Sequence, residues 1–155
     1  MTQFICIRVI TMKLDKLYFL RESEDLTQKD LARILKIDRS LISHWEIGSD
    51  IIPLKHLNTI CNYFNVSMDY IFGLTNEKKH LNSIAKLDKK LIGERLVEIR
   101  NENNLRQKDI ASILNTTPST ICAYEKGKTL ILTIFVYELA KEFNISMDYI
   151  CGRIN

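Results

Sequence analysis

The sequence predicts an all-α protein built from two tandem copies of a five-helix domain. Residues 26–48 return at residues 105–127 with a constant offset of 79 and no gap. Both copies then run into nearly the same segment, NVSMDYIFG up to Gly73 and NISMDYICG up to Gly152. A duplication of this length sets the domain organisation before any single motif is considered. Only 5 glycines and 2 prolines occur, and apolar residues recur at helical spacing, which indicates helices.

Four segments are expected along the chain: an N-terminal extension at 1–13, a first copy at 14–73, a linker at 74–90 and a second copy at 91–155. The extension contains QFICIRVI, whose apolar and β-branched residues favour a short strand. Such a strand is either an edge that pairs with another chain or an incidental addition. The linker contains no Pro or Gly and has Leu81, Ile84 and Ala85 at helical spacing, so we expect a short helix there.

Composition and charge exclude several classes of protein. No apolar run approaches the ~18 residues that a membrane helix needs. The 4 cysteines show neither a CxxC pair nor His partners at ligand spacing, which indicates reduced thiols in a cytoplasmic protein. No phosphate-binding glycine loop, nucleophile–base pair or metal cluster occurs, so we expect neither an enzyme nor a cofactor. The net charge of +3 does not argue for nucleic acid, so any such affinity must come from local placement of cations and helix N-termini.

Local signals place the first two helices of each copy. In the first copy, residues 14–24 carry the apolar stripe of helix one, which includes Leu17 and Tyr18. Thr27 is a suitable N-cap and Asp30 stands three residues later, a variant of the capping box. Helix two should therefore begin near Gln28.

Helix three follows after a very short turn. Asp38 is its expected N-cap in the first copy, and Thr117 followed by Pro118 has that role in the second. Two helices of about eight residues, joined by three or four residues and crossing steeply, form a helix-turn-helix. The second helix of such a motif can enter the major groove of DNA.

The end of each copy is predicted to hold two further helices. Pro53 fits the first turn of helix four, and Ser67 can cap a short helix five that ends at Gly73 in a left-handed conformation. The core face of helix four repeats at helical spacing as Leu57, Ile60, Cys61 and Phe64, which correspond to Val136, Leu139, Ala140 and Phe143 in the second copy.

Both copies resemble the phage-repressor or Xre-type (Cro-like) helix-turn-helix family, and so imply lambda-repressor-like domains. The pattern is a leucine, then Thr-Gln, then Leu-Ala, as the first copy has them, followed by a Ser in the next helix, an aromatic-Glu-x-Gly end and a final Asp-Tyr-Ile-x-Gly. In that family an Arg on helix one pairs with the Glu that ends helix three. Arg21 and Glu46 stand 25 residues apart here, as do Arg100 and Glu125. The repeated spacing predicts a structural bridge in each copy.

The N-terminal end of helix three decides which bases a helix-turn-helix can read. In the first copy the candidate readers are Arg39, Ser40, Ser43 and His44. Arg39 can make a bidentate contact with guanine. In the second copy the matching positions hold short side chains, among them Ser119 and Thr120, so this copy is expected to read bases weakly.

Phosphate contact, by contrast, is expected to be stronger in the second copy. The resemblance implies that the Gln opening helix two touches a phosphate, which the helix N-terminus also attracts. The linker lysines are either a solvated face or contacts to the DNA backbone. The further candidate DNA contacts around the two motifs are Gln28, Lys29, Arg106, Gln107, Lys108, Lys126 and Lys128.

Helix four differs between the copies outside its core positions. Polar or proline positions of the first copy become apolar in the second, at Leu132, Ile134, Phe135 and Tyr137. Helical geometry prevents all four from joining the core, so they predict an exposed apolar patch. Either this patch forms a two-fold homodimer, or the first copy or the linker covers it within the same chain.

Together these features predict a cytoplasmic, sequence-specific transcriptional regulator of repressor type that binds double-stranded DNA as a homodimer. The alternative is an interaction module in which the second copy serves dimerisation or partner binding. An antitoxin, which binds both DNA and a toxin protein, lies between the two.

Overall fold

The computed structural model describes residues 12–79 and 81–155, so the strand expected at residues 3–10 lies outside the described residues. Every regular element in the described residues is an α-helix, which confirms the all-α prediction. None of those helices combines the length and the apolar character needed to cross a membrane.

The described chain divides into two compact units, the first ending at Ile51 and the second beginning at Ile52. The first unit holds the first three helices, α1 (Asp15–Ser23), α2 (Gln28–Leu35) and α3 (Arg39–Ile47). The second unit holds the remaining helices: α4 (Leu54–Phe64), α5 (Met68–Ile71), α6 (Lys89–Glu102), α7 (Gln107–Ile113), α8 (Pro118–Glu125), α9 (Thr133–Phe143) and α10 (Met147–Ile150). Helices four and five of the first copy therefore group with the second copy.

Capping side chains set the starts of α2 and α3 as predicted. The Thr27 hydroxyl accepts the Asp30 N–H at 3.1 Å, and the Asp30 carboxylate accepts the Thr27 N–H at 2.9 Å. The Thr27 hydroxyl also donates to the Asp30 carboxylate at 2.5 Å, and this bond, together with the one from the Thr27 N–H, holds the pKa of Asp30 below its usual value. Asp38 accepts the Ser40 N–H at 2.7 Å and so begins α3.

Fewer residues of α1 are buried in the core of the first unit than the apolar stripe of helix one predicts. Leu17 and Trp45 are at most 1% exposed. Tyr18, which the stripe also includes, and its neighbour Phe19 are 42% and 62% exposed. Both lie on the solvent side of α1, because one helix face holds only every third or fourth residue.

In the second unit, α6 passes close over the end of α8. A Cβ atom at Gly93 would lie 2.5 Å from the carbonyl oxygen of Glu125, so glycine alone fits this crossing. Helix α6 has 14 residues, whereas α1 has 9. The absence of a side chain at Gly93 lets the longer helix extend past α8.

The linker does not form the short helix that its spacing predicts. Residues 74–79 and 81–88 are irregular, and α6 begins at Lys89. Side-chain amides from the first copy bind the linker backbone instead, since Asn65 accepts the Leu81 N–H at 2.9 Å and Asn62 accepts the Ala85 N–H at 3.2 Å. These bonds replace the ones that a helix would make with itself.

The short helices α5 and α10 begin against each other. Each starts at a serine N-cap, Ser67 or Ser146, as the sequence predicts for Ser67. Each also receives a carboxylate from the opposite copy: Asp148 accepts the Met68 N–H and Asp69 accepts the Met147 N–H, both at 2.8 Å. Backbone donors at both helix starts are thereby satisfied across the copies.

Candidate nucleic-acid interface

Both predicted helix-turn-helix motifs are present. In the first unit α2 and α3 are joined by residues 36–38, and in the second α7 and α8 are joined by residues 114–117. Lys36 and Asn115 adopt positive φ values of 56° and 52° in these turns. The three- and four-residue turns agree with the lengths expected from the caps.

In the first copy, Arg21 and Glu46 form the bridge predicted from their spacing. Arg21 Nε and Nη2 donate to the two carboxylate oxygens of Glu46 at 2.8 and 3.3 Å, and both side chains are 6% exposed. The buried carboxylate raises the pKa of Arg21. A third donor, Nη1, reaches the Leu26 carbonyl at 2.6 Å, so the bridge ties α1 to both α3 and the start of α2.

In the second copy, Arg100 and Glu125 repeat the geometry. The two bonds measure 2.6 and 3.2 Å, and the Leu105 carbonyl accepts from Nη1 at 3.1 Å. The Arg100 side chain is 18% exposed, three times as much as its counterpart. The bridge is therefore common to both copies, but its arginine is more exposed to solvent in the second.

The first copy extends this bridge outward to the recognition helix. Gln28 donates through Nε2 to Glu46 at 2.9 Å, and its Oε1 accepts from Arg39 Nη1 at 3.1 Å. A polar relay, which we define as Arg21–Glu46–Gln28–Arg39, thus runs from the core to the exposed start of α3. One hydrogen on the Gln28 amide remains for a phosphate, since that group carries two.

The second copy carries only the inner part of the relay. Gln107 Nε2 donates to Glu125 at 2.7 Å, as in the first copy. Pro118 stands at the position of Arg39 and has no side-chain donor. Sequence reasoning missed the Gln–Glu contact, although its 18-residue spacing recurs in both copies and could have revealed it.

The other predicted readers are less available than Arg39, which is exposed. Ser40 is exposed but donates its hydroxyl to Asp38 at 2.6 Å, and Ser43 is half-buried. His44 lies 3.0 Å from an Asp50 carboxylate oxygen, which places a negative charge beside it. Arg39 is therefore the best placed of the four to contact a base.

Two exposed lysines, Lys126 and Lys128, follow the recognition helix of the second copy at the positions of Ile47 and Ser49 in the first. Lys108, Lys126 and Lys128 are exposed, as is Lys29 in the first copy. The Lys128 carbonyl accepts from Lys89 Nζ at 3.5 Å, which brings one linker lysine to this surface.

Two other side chains of the second motif that are predicted to contact DNA interact with neighbouring residues instead. Arg106 is paired with Asp109 at 3.0 Å, and this bond holds the pKa of Asp109 below its usual value. Thr120 lies 3.0 Å from the Thr117 hydroxyl, while Ser119 is exposed.

The predicted apolar patch is largely covered within the second unit. Leu132 is 54% exposed, but Ile134, Phe135 and Tyr137 are half-buried. The Tyr137 ring lies 5.6 Å from the Phe72 ring of the first copy, measured between centroids. Of the two alternatives for this patch, the contacts favour cover from within the chain.

Comparison with known proteins identifies the two copies. The model of a family described as "Helix-turn-helix domain" matches residues 15–77 and 93–152. This match confirms the resemblance of both copies to the Xre-type helix-turn-helix family. No solved structure gave a significant match.

Two curated proteins are similar to part of the chain. Antitoxin PezA of Streptococcus pneumoniae serotype 4 is 40% identical over 65 residues, which is 42% of this chain and 39% of PezA. The HTH-type transcriptional activator BcrR of Enterococcus faecalis is 38% identical over 55 residues, which is 36% of this chain and 27% of BcrR. The similarity thus spans well under half of each relative.

Proposed function

We propose that this chain, which belongs to the helix-turn-helix domain family, is a transcriptional regulator that binds specific double-stranded DNA and represses transcription by occupying an operator. The polar relay of the first copy supports this proposal most directly. It holds the Arg39 guanidinium at the exposed start of α3, where a recognition helix reads base edges. A guanidinium there can donate two hydrogen bonds to O6 and N7 of guanine.

The two copies would divide the work of binding. The first copy reads sequence through Arg39, with Ser40, Ser43 and His44 beside it. The second copy lacks a long donor at the start of α8 but presents exposed Lys126 and Lys128, which suit the DNA backbone. Backbone contacts position a protein on DNA without specifying sequence, so the second copy acts mainly as an anchor.

Selection of bound sequences from random duplexes by the full chain tests the reading role. Arg39→Ala should relax the preference at one base position, by about 1–3 kcal/mol, because a bidentate contact is lost. Arg33→Ala is the matched control, since Arg33 is also an exposed arginine of the first copy but forms its ion pair with Asp30 of its own helix. An unchanged consensus for Arg39→Ala would contradict the proposal.

The anchoring role has a different signature in the same assay. Lys128→Ala should weaken binding to all duplexes about equally and lower the dependence of log K on log salt by about 1, since one phosphate contact is lost. A change of consensus in this variant would instead mean that the second copy reads bases.

The similarity to an antitoxin favours one alternative, in which the second copy binds a protein partner, such as a toxin or another regulator. In that case the cations of the second copy would not be needed for DNA binding. Replacing Ser119, Lys126 and Lys128 by alanine in the full chain separates the two roles. Unchanged DNA affinity would support a partner-binding second copy, and a large loss would support the anchor.

A further inference from the structure

The contact between α5 and α10 has the pattern of a two-fold interface inside one chain. Asp148 accepts the N–H groups of Met68 and Asp69 at 2.8 and 3.3 Å. In return, Asp69 accepts the Met147 N–H at 2.8 Å and the Ser146 hydroxyl at 2.5 Å. Each aspartate thus caps the helix of the other copy rather than its own.

The offset of the repeat makes the exchange explicit. Met68 corresponds to Met147, and Asp69 to Asp148, at 79 residues. Residue i of one copy therefore contacts residue j of the other, and j contacts i. That reciprocity defines the interface of a symmetric homodimer. Here the two partners are covalently joined.

The surroundings of this interface have diverged so that the copies are no longer interchangeable. On the second-copy side, the Arg153 side chain is completely buried and donates to Asp148 at 2.8 Å. It also donates to the side-chain oxygens of Asn58 and Asn62 of the first copy. At the position of Arg153, the first copy has Leu74. The contact is consequently built for one first-copy surface and one second-copy surface.

Pairing between like copies of two chains would lose these contacts. If two second copies met, Arg153 would face Tyr137 and Lys141, which occupy the positions of Asn58 and Asn62. A buried arginine would then meet a like charge. If two first copies met, Leu74 would face two carboxamides and leave their oxygens without the arginine donor.

We propose that the α5–α10 contact takes the place of a dimer interface, so that one chain works as a monomer and binds an operator without two-fold symmetry. The assembly half of the proposal rests on the contacts above. The operator half rests on the proposed function, because only a DNA-binding chain has an operator.

Light scattering on the full chain tests the assembly half. From one to tens of micromolar, the mass should stay at that of one chain, 18.1 kDa. Hydrogen exchange at the Met68 and Met147 amides should be slow and independent of concentration. A mass of two chains, or protection that grows with concentration, would overturn the proposal, since the contact would then form between chains.

A titration of selected duplexes tests the operator half. One chain should bind per duplex, and the consensus should lack a two-fold repeat. A palindromic consensus occupied by two chains would overturn it. If no duplex is bound, the proposed function fails, while the mass and the exchange rates still decide how the chain is assembled.

Discussion

The two copies share their internal bridge and differ in what is attached to it. In both, an arginine of helix one and a glutamine of helix two converge on one glutamate. In the first copy the network continues to Arg39, and in the second it stops because Pro118 has no donor. Loss of a buried charge partner is costly, whereas an exposed position can change freely. The two copies thus share the scaffold and differ in the exposed residue at the start of the recognition helix.

The two copies also share one feature and differ in another at the α5–α10 contact. Asp69 and Asp148 have equivalent capping roles, but within the described part of the chain only Asp148 has an arginine partner. Burial raises the pKa of Asp69, even though Ser146 and Met147 donate to its carboxylate. Two residues that are equivalent in the repeat therefore lie in different electrostatic environments.

The largest difference is expected between Asp148→Ala and Asp69→Ala. Removing Asp148 leaves Arg153 buried without its counter-ion and should lower the free energy of unfolding by about 3–5 kcal/mol. Removing Asp69 loses mainly a helix cap and should cost about 1 kcal/mol. Urea denaturation followed by far-ultraviolet circular dichroism measures both. Equal losses would mean that the arginine does not distinguish the copies.

The two Arg–Glu bridges should differ less in their contribution to the free energy of unfolding. Glu46→Ala strands a guanidinium that is 6% exposed, and we expect a loss of about 3 kcal/mol in unfolding free energy. Glu125→Ala should cost about half as much, because Arg100 is 18% exposed and can reach water. Glu22→Ala is the control: it removes an exposed partner of Arg21 and should change stability by less than about 0.5 kcal/mol.

Arg39 begins the recognition helix of the first copy, and an arginine at the equivalent position 118 would give the second copy the same donor. Pro118→Arg should add a base preference of about 1 kcal/mol at a new position, since Gln107 is placed to orient the guanidinium. Pro118→Ala removes the proline without adding a donor and serves as the control. Selection from random duplexes compares the two variants. The same consensus from both would show that a donor at this position is not sufficient.

The smallest expected effect is the change with pH in the contribution of Asp69 to stability. A raised pKa for Asp69 means that the folded state holds this proton more tightly than the unfolded state. Its stabilising contribution is therefore present below the unfolded pKa, near 3.8, and is lost as pH rises through the folded value. The stability of wild type minus that of Asp69→Asn should fall across this interval. A difference that rises with pH would show that hydrogen bonds to the carboxylate outweigh burial.

Local rules predicted the helices well and the non-local contacts poorly. Thr27, Asp38, Thr117 and Ser67 each mark a helix start because a cap acts on backbone two or three residues away. The linker was expected to be helical for an equally local reason, but Asn62 of α4 accepts the Ala85 N–H. No local rule detects a partner 23 residues distant.

The candidate site shows the same limit. The family resemblance, supported by the recurrence of the 25-residue spacing, was enough to predict both bridges. It was not enough for the contact between α5 and α10, because an aspartate in the first turn of each helix reads as favourable for that helix alone. Nothing in two identical SMDYI segments tells which helix each carboxylate caps. That information lies in the packing of the two copies.

The reciprocal capping also sets an order of events during protein synthesis. The Met68 and Asp69 amides need a carboxylate that is made 79 residues after Asp69. At about 5–20 residues per second, translation reaches Asp148 roughly 4–16 s later. During that interval the nascent α5 has its own Ser67 cap but lacks its partner. Completion of the first copy therefore waits for the ribosome to finish most of the second.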